Sequence, residues 1–216
     1  MTGRIQWKVC GLRRAEDARV AAELGADFLA VNLYEKSPRY LALADYAATA
    51  VDWPKGPGRV AVLVEPSPGR MAEAVAAGFD RFQIHARHDL DAARMAEWSA
   101  LVGANRLWLA PKLPPGARFP ELWVPLAGTF LADTYHAEGF GGSGRTGDWS
   151  GFAALEALHP EKRWILAGGL GPENVLEALA RSGARFIDVN SGVETAPGVK
   201  SAERLHALAE RLATLR

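Results

Sequence analysis

Residues 164–194 read WILAGGLGPENVLEALARSGARFIDVNSGVE. A short apolar run, 164–167, meets the small residues Gly168 and Gly169. A helical pattern follows over 172–181, and a second apolar run over 186–189 leads into Asn190, Ser191 and Gly192. Two strands joined through a helix form a parallel pair with a right-handed crossover. Glycine and serine after both strands let backbone N–H groups approach an anion closely, and paired loops of this kind recur as the phosphate site after strands seven and eight of (β/α)₈ barrels.

Working outward, the same unit repeats along the chain. Strands are expected at 7–10, 28–33, 59–64, 81–85, 107–112 and 129–134, before the two already named. Helices are expected at 15–24, 43–51, 69–77, 90–101, 150–158, 172–181 and 202–212. The segment after the fifth strand carries Pro114, Pro115, Gly116 and Pro120, so its helix is degenerate. Eight strands in 216 residues fit an α/β fold of one domain, 1–216: a (β/α)₈ TIM barrel with a degenerate fifth helix. A doubly wound open sheet is the competing arrangement.

Composition bounds the function. Lys plus Arg and Asp plus Glu number 25 each, so the net charge is zero, which argues against nucleic acid as a partner. Cys10 is the single cysteine, so no intramolecular disulfide or cysteine metal cluster can form. The N-terminal residues lack the apolar run of a signal peptide, and no stretch approaches the ~18 apolar residues of a membrane span. A cytoplasmic protein is expected, with neither membrane nor nucleic acid as partner. The chain also holds seven tryptophans.

In such a barrel, chemistry sits where strands end. Cys10 ends strand one and shares a face with Lys8. A lone cysteine is first of all a small buried hydrophobe, and as a base it needs a lowered pKa. Arg39, after strand two, is of the type that clamps a carboxylate; a solvated loop is the alternative. Gln83 and His85 share a face of strand four, where a hydrogen-bonded core histidine is the plainer reading. Asp133 ends strand six, where burial favours a pKa suited to a proton donor, or else a capping role. Five glycines fall within 139–147. Gly139 to Thr146 nearly fits a P-loop, but Arg145 replaces the required Lys, and a loop closing over a ligand is the better reading.

Taken in order, Lys8-Val9-Cys10-Gly11-Leu12, Lys36-Ser37-Pro38-Arg39-Tyr40, Gln83-Ile84-His85 and Leu131-Ala132-Asp133-Thr134 resemble the phosphoribosylanthranilate isomerase family. So do Gly141 to Trp149, Ala167-Gly168-Gly169-Leu170, Ser191-Gly192-Val193-Glu194 and Pro197-Gly198-Val199-Lys200. The resemblance implies an Amadori rearrangement of N-(5-phosphoribosyl)anthranilate in tryptophan biosynthesis. It implies Asp133 as general acid and Cys10, as thiolate, as general base. Lys8 is a candidate cation beside that thiolate. By the same resemblance Arg39 holds the anthranilate carboxylate, Gly168, Gly169, Ser191 and Gly192 hold the phosphate, and His85 and Asp188 stand at the substrate rim. Asp188 has the barrel wall as its alternative. No cofactor or metal is implied; the partner is a phosphorylated small molecule, and the chain is a monomer or homodimer.

The sequence departs from the family pattern at Ala86, Asn32, Glu65 and Asn190. Ala86 stands where a glycine is common, and a positive φ there would strain it. Two other readings remain. Lys112, ending strand five, would suit a Schiff-base aldolase, with an epimerase as a related sugar-phosphate barrel. A non-catalytic phosphate-binding barrel is the second.

Overall fold

The computed structural model describes residues 4–133 and 149–215. Eight parallel strands close in sequence order: β1 (Gln6–Val9), β2 (Phe28–Asn32), β3 (Gly58–Val64), β4 (Arg81–Arg87), β5 (Leu107–Lys112), β6 (Thr129–Ala132), β7 (Arg163–Leu166) and β8 (Phe186–Val189). Closure is made by β1 against β8, with Lys8 opposite Asp188. The open sheet is thereby excluded. Seven α-helices are described: α1 (Ala15–Glu23), α2 (Leu43–Thr49), α3 (Pro68–Ala76), α4 (Ala92–Val102), α5 (Trp149–Leu158), α6 (Val175–Ser182) and α7 (Ala202–Ala213). A short antiparallel pair, β9 (Glu194–Ala196) and β10 (Val199–Lys200), follows β8. No described helix is long and apolar enough to cross a membrane.

The period of two along each strand makes two cores. One alternate set, with Trp7, Val31, Leu63, Phe82, Ile84, Leu109, Phe130 and Ile187, packs against the helices. The other set, with Ala30, Val60, Val62, Trp108, Ala110, Leu131, Ile165 and Phe186, fills the barrel. All seven tryptophans are buried: six belong to the helix-facing core and Trp108 to the barrel interior. Their number is therefore accounted for by packing.

The lower end of the barrel is plugged. Phe28 meets Trp108 edge-on at 5.0 Å, and Phe186 stacks on Phe28 at 5.5 Å. The Arg163 guanidinium lies 4.5 Å over Phe186 and hydrogen-bonds Gln6. With that end filled by aromatic rings, the polar interior is reached from the carboxyl ends of the strands.

The degenerate segment after β5 folds as a 3₁₀ helix, Glu121–Leu126, with Pro125 inside it. Other boundaries differ for local reasons. α6 starts at Val175, not 172, because Asn174 turns back on the preceding loop: its Nδ2 donates to Gly169 O and its Oδ1 accepts from Gly171 N. β4 runs two residues beyond His85, since Ala86 and Arg87 pair with Pro111 and Lys112 of β5. Ala86 is thus ordinary strand without positive φ, and the strain a positive φ would bring is absent there. It sits instead at Glu65, the one described non-glycine residue with positive φ, at 39°. The Glu65 carboxylate accepts from Arg87 N at 2.8 Å, which holds the turn.

Candidate active site

The inward positions near the top of the strands line one pocket. Cys10 comes from the end of β1, Asn32 from β2, His85 from β4, Asp133 from beyond β6, and Asp188 and Asn190 from β8 and its loop. Gly168, Gly169 and Ser191 line its other side, and Tyr34 its rim. Of the residues expected from sequence, Cys10, Asp133, His85, Asp188, Gly168, Gly169 and Ser191 meet here. Arg39, Gly192 and Lys112 are not in the lining. The glycine-rich loop read as closing over the ligand, together with Thr134, lies outside the described residues.

A polar column stands on the barrel floor. Lys8 is wholly buried, and its Nζ donates to Asp188 Oδ2 at 2.7 Å and to Gln83 Oε1 at 2.8 Å. Gln83 Nε2 lies 2.9 Å from His85 Nε2. Burial opposes the Lys8 charge, but Asp188 and Cys10 outweigh it and raise its pKa. Burial pushes the Asp188 carboxyl up, against the pull of Lys8 and Lys200. The Oδ1 of Asp188 has no hydrogen-bond partner among the described residues.

Cys10 departs from expectation. The Lys8 charge favours the thiolate, and Lys200 adds a second cation. Burial and the Asp188 carboxylate nevertheless prevail and push the thiol above its ordinary value. The resting group is a thiol, because the side chain of a residue only 6% exposed loses more by desolvation than two cations return.

The loops after β7 and β8 build the anion side. Gly168 and Gly169 take φ of 100° and 61°, which a side chain would resist. Gly192 carries a packing constraint of its own. A Cβ there would run into the Leu170 carbonyl and come within 3.0 Å of Gly171 Cα. Gly192 thus lets the two loops touch, and Ser191 is the residue that reaches the pocket.

Arg39 is engaged by a neighbouring carboxylate. Its Nε and Nη2 are filled by the Glu194 carboxylate, the closest contact being 2.7 Å. Glu194 also accepts from Lys200 Nζ at 2.7 Å, and Lys200 donates to Asn190 Oδ1 at 2.9 Å. Although burial opposes its charge, Arg39 and Lys200 hold the Glu194 carboxyl below its ordinary value. The loop after β2 is so tied to the loop after β8. A nearly buried carboxylate already engages one edge of the guanidinium, which sequence could not reveal.

Sequence reasoning missed Lys200, Glu194 and Asn32 as parts of the site. Asn32 holds its own loop, donating to Ser37 Oγ at 3.0 Å and accepting from Tyr34 N at 3.0 Å. The period of two was the available signal for Asn32; for Lys200 and Glu194 only the 194–200 motif was. Among the described residues no three His, Cys, Asp or Glu side chains are grouped to hold a metal.

The chain matches a family model described as N-(5'phosphoribosyl)anthranilate (PRA) isomerase over residues 7–211. It is 36% identical over 214 residues to the N-(5'-phosphoribosyl)anthranilate isomerase of Synechococcus elongatus, covering 97% of this chain and 96% of that one. The phosphoribosyl anthranilate isomerase of Thermus thermophilus superposes with a TM-score of 0.81 at 34% identity, covering 98% and 100% of the two chains. A phosphoribosyl anthranilate isomerase in complex with reduced 1-(o-carboxyphenylamino)-1-deoxyribulose 5-phosphate superposes with a TM-score of 0.74 at 26% identity, covering 97% and 99%.

Proposed function

Because the chain belongs to the N-(5'-phosphoribosyl)anthranilate isomerase family, and so converts that substrate to 1-(o-carboxyphenylamino)-1-deoxyribulose 5-phosphate in tryptophan biosynthesis, we propose that Cys10 and Asp133 carry the proton transfers. The observation that supports this assignment is the single pocket they share with the loops of Gly168, Gly169 and Ser191.

The roles follow from the chemistry of the change. Asp133 gives a proton to the ribose ring oxygen, and the C1′–O4′ bond breaks to leave an iminium. Cys10, as thiolate, removes the proton from C2′, and the electron pair of that bond forms the enolamine. The enolamine then tautomerises to the ketone. Substrate and product are isomers, so the balance needs no external oxidant or reductant. Since burial keeps the resting thiol protonated, the thiolate forms as substrate enters, its proton passing to solvent, and Lys8 and Lys200 are the charges that stabilise it. Gly168, Gly169 and Ser191 hold the phosphate through backbone N–H groups. Asp188, with Oδ1 unpaired, accepts from a sugar hydroxyl.

Loss of anthranilate fluorescence from freshly made substrate tests the assignment. Cys10→Ala is expected to abolish most turnover while leaving inorganic phosphate binding intact. Asp133→Asn is expected to lower kcat by about 10²–10⁴-fold. A nearly normal rate in Cys10→Ala, or a change in KM alone in Asp133→Asn, would remove the respective residue from the chemistry.

A further inference from the structure

The reaction as described leaves Gln83 without a task. Gln83 is 1% exposed, and a buried amide must find partners at both ends. One end meets Lys8 Nζ at 2.8 Å and the other meets His85 Nε2 at 2.9 Å. Which end is which is fixed by chemistry. An ammonium carries donors only, so the amide atom facing Lys8 is the oxygen. The atom facing His85 is then the NH₂, which also only donates. His85 Nε2 must therefore accept, and this requires a neutral ring with its proton on Nδ1. Burial and the Lys8 charge lower the His85 pKa to about 4, in keeping with a neutral ring.

We propose that Gln83 is a positioning residue: anchored by Lys8, it locks His85 in the Nδ1–H tautomer, so that His85 meets the substrate as a neutral hydrogen-bond donor and never as a base. His85 lines the pocket, and with Nε2 committed to Gln83, Nδ1 is the nitrogen left for a ligand. β4 lies opposite β8 in the closed barrel, so His85 stands across the mouth from the phosphate loops. A substrate with its phosphate at Ser191 brings its aminobenzoate end toward His85. The carboxylate there is an acceptor that a fixed N–H selects. Only this last step rests on the proposed site assignment; the tautomer follows from the hydrogen-bond chain alone.

The imidazole ¹⁵N spectrum of the full chain at neutral pH, with histidine labelled and His85 assigned by His85→Asn, reads the tautomer directly. A protonated Nδ1 and bare Nε2 are expected. A bare Nδ1 with protonated Nε2 in the native protein overturns the proposal. Gln83→Glu keeps an oxygen for Lys8 but turns an oxygen toward His85 as well. His85 Nε2 then becomes the donor, and either Nδ1 loses its proton or the ring becomes imidazolium. Loss of a hydrogen bond to a charged acceptor lowers kcat/KM by roughly 10- to 100-fold where Nδ1 is bare, mainly through KM. A bare Nδ1 with unchanged kcat/KM overturns the donor role. An imidazolium restores the donor, and its kcat/KM must then stay near the native value; a loss there overturns the role too. Should Gln83→Glu fail to fold, Gln83→Met frees the ring to populate both tautomers, and a Met variant that keeps Nδ1–H alone overturns the lock. Failure of the isomerase assignment would appear as absent turnover in the native protein, on which the spectra do not depend.

Discussion

Lys8→Met is the most informative single perturbation of the barrel floor. Lys8 is 0% exposed and its partner Asp188 is 8% exposed, at 2.7 Å. Removing one member of such a pair leaves a buried charge without its counterion, which costs about 3–5 kcal/mol. Here the loss falls on a carboxylate whose Oδ1 already lacks a partner, so little local compensation exists. In a chain of 216 residues, about 2–4 °C per kcal/mol gives a drop in Tm of roughly 10 °C. Asp188 can limit the loss only by taking up a proton. Its folded pKa, already raised by burial, rises further without Lys8, so the penalty grows as pH climbs above the ordinary carboxylate value of about 3.9. The deficit of Lys8→Met is therefore larger at pH 8 than at pH 5. Adding Asp188→Leu removes the stranded charge, recovers most of the stability and abolishes that pH dependence. Equilibrium urea denaturation of the native, single and double variants measures all three. A single variant within about 1 kcal/mol of native, or a double variant less stable than the single, would refute the ion-pair reasoning.

Two further outcomes are expected. Gly192→Ala drives a methyl into the Leu170 carbonyl, and since both sides are backbone the loops must part. Stability should fall by about 1–3 kcal/mol and inhibition by inorganic phosphate should weaken, as thermal melting and competition kinetics would report; unchanged phosphate inhibition would contradict the contact. His85 binds its proton only near pH 4 in the folded chain, against 6.5 for an unperturbed group. Its contribution to stability is then complete above pH 6.5 and lost as pH falls toward 4, up to about 3 kcal/mol. The native protein should lose more stability than His85→Asn over that window, and parallel urea titrations of the two would argue against a depressed pKa.

Fold and site were not equally legible. The alternation of short branched apolar runs with helical patterns is a local property, and it survives in β3, β5 and β8 almost residue for residue. The prolines at 114, 115 and 120 marked the degenerate segment because proline acts on its own backbone. Cys10, Asp133 and the glycines at 168 and 169 were findable because a strand's last inward residue faces the mouth of any such barrel. The seven tryptophans were countable in sequence, yet only packing explains them.

What sequence by itself determined is whatever depends on neighbours along the chain: the strand–helix repeat, the face each strand residue occupies, and the residue types offered at each strand end. Tertiary structure alone decided which of those groups meet. Lys8 and Asp188 are separated by 180 residues, and Arg39 and Glu194 by 155. Closure of β1 on β8 makes the first pair, and docking of two loops makes the second. These contacts leave one edge of Arg39 engaged and Cys10 protonated at rest, and they fix the tautomer of His85. Charge and hydrogen bonding are set by distance and burial, and neither is written in sequence order.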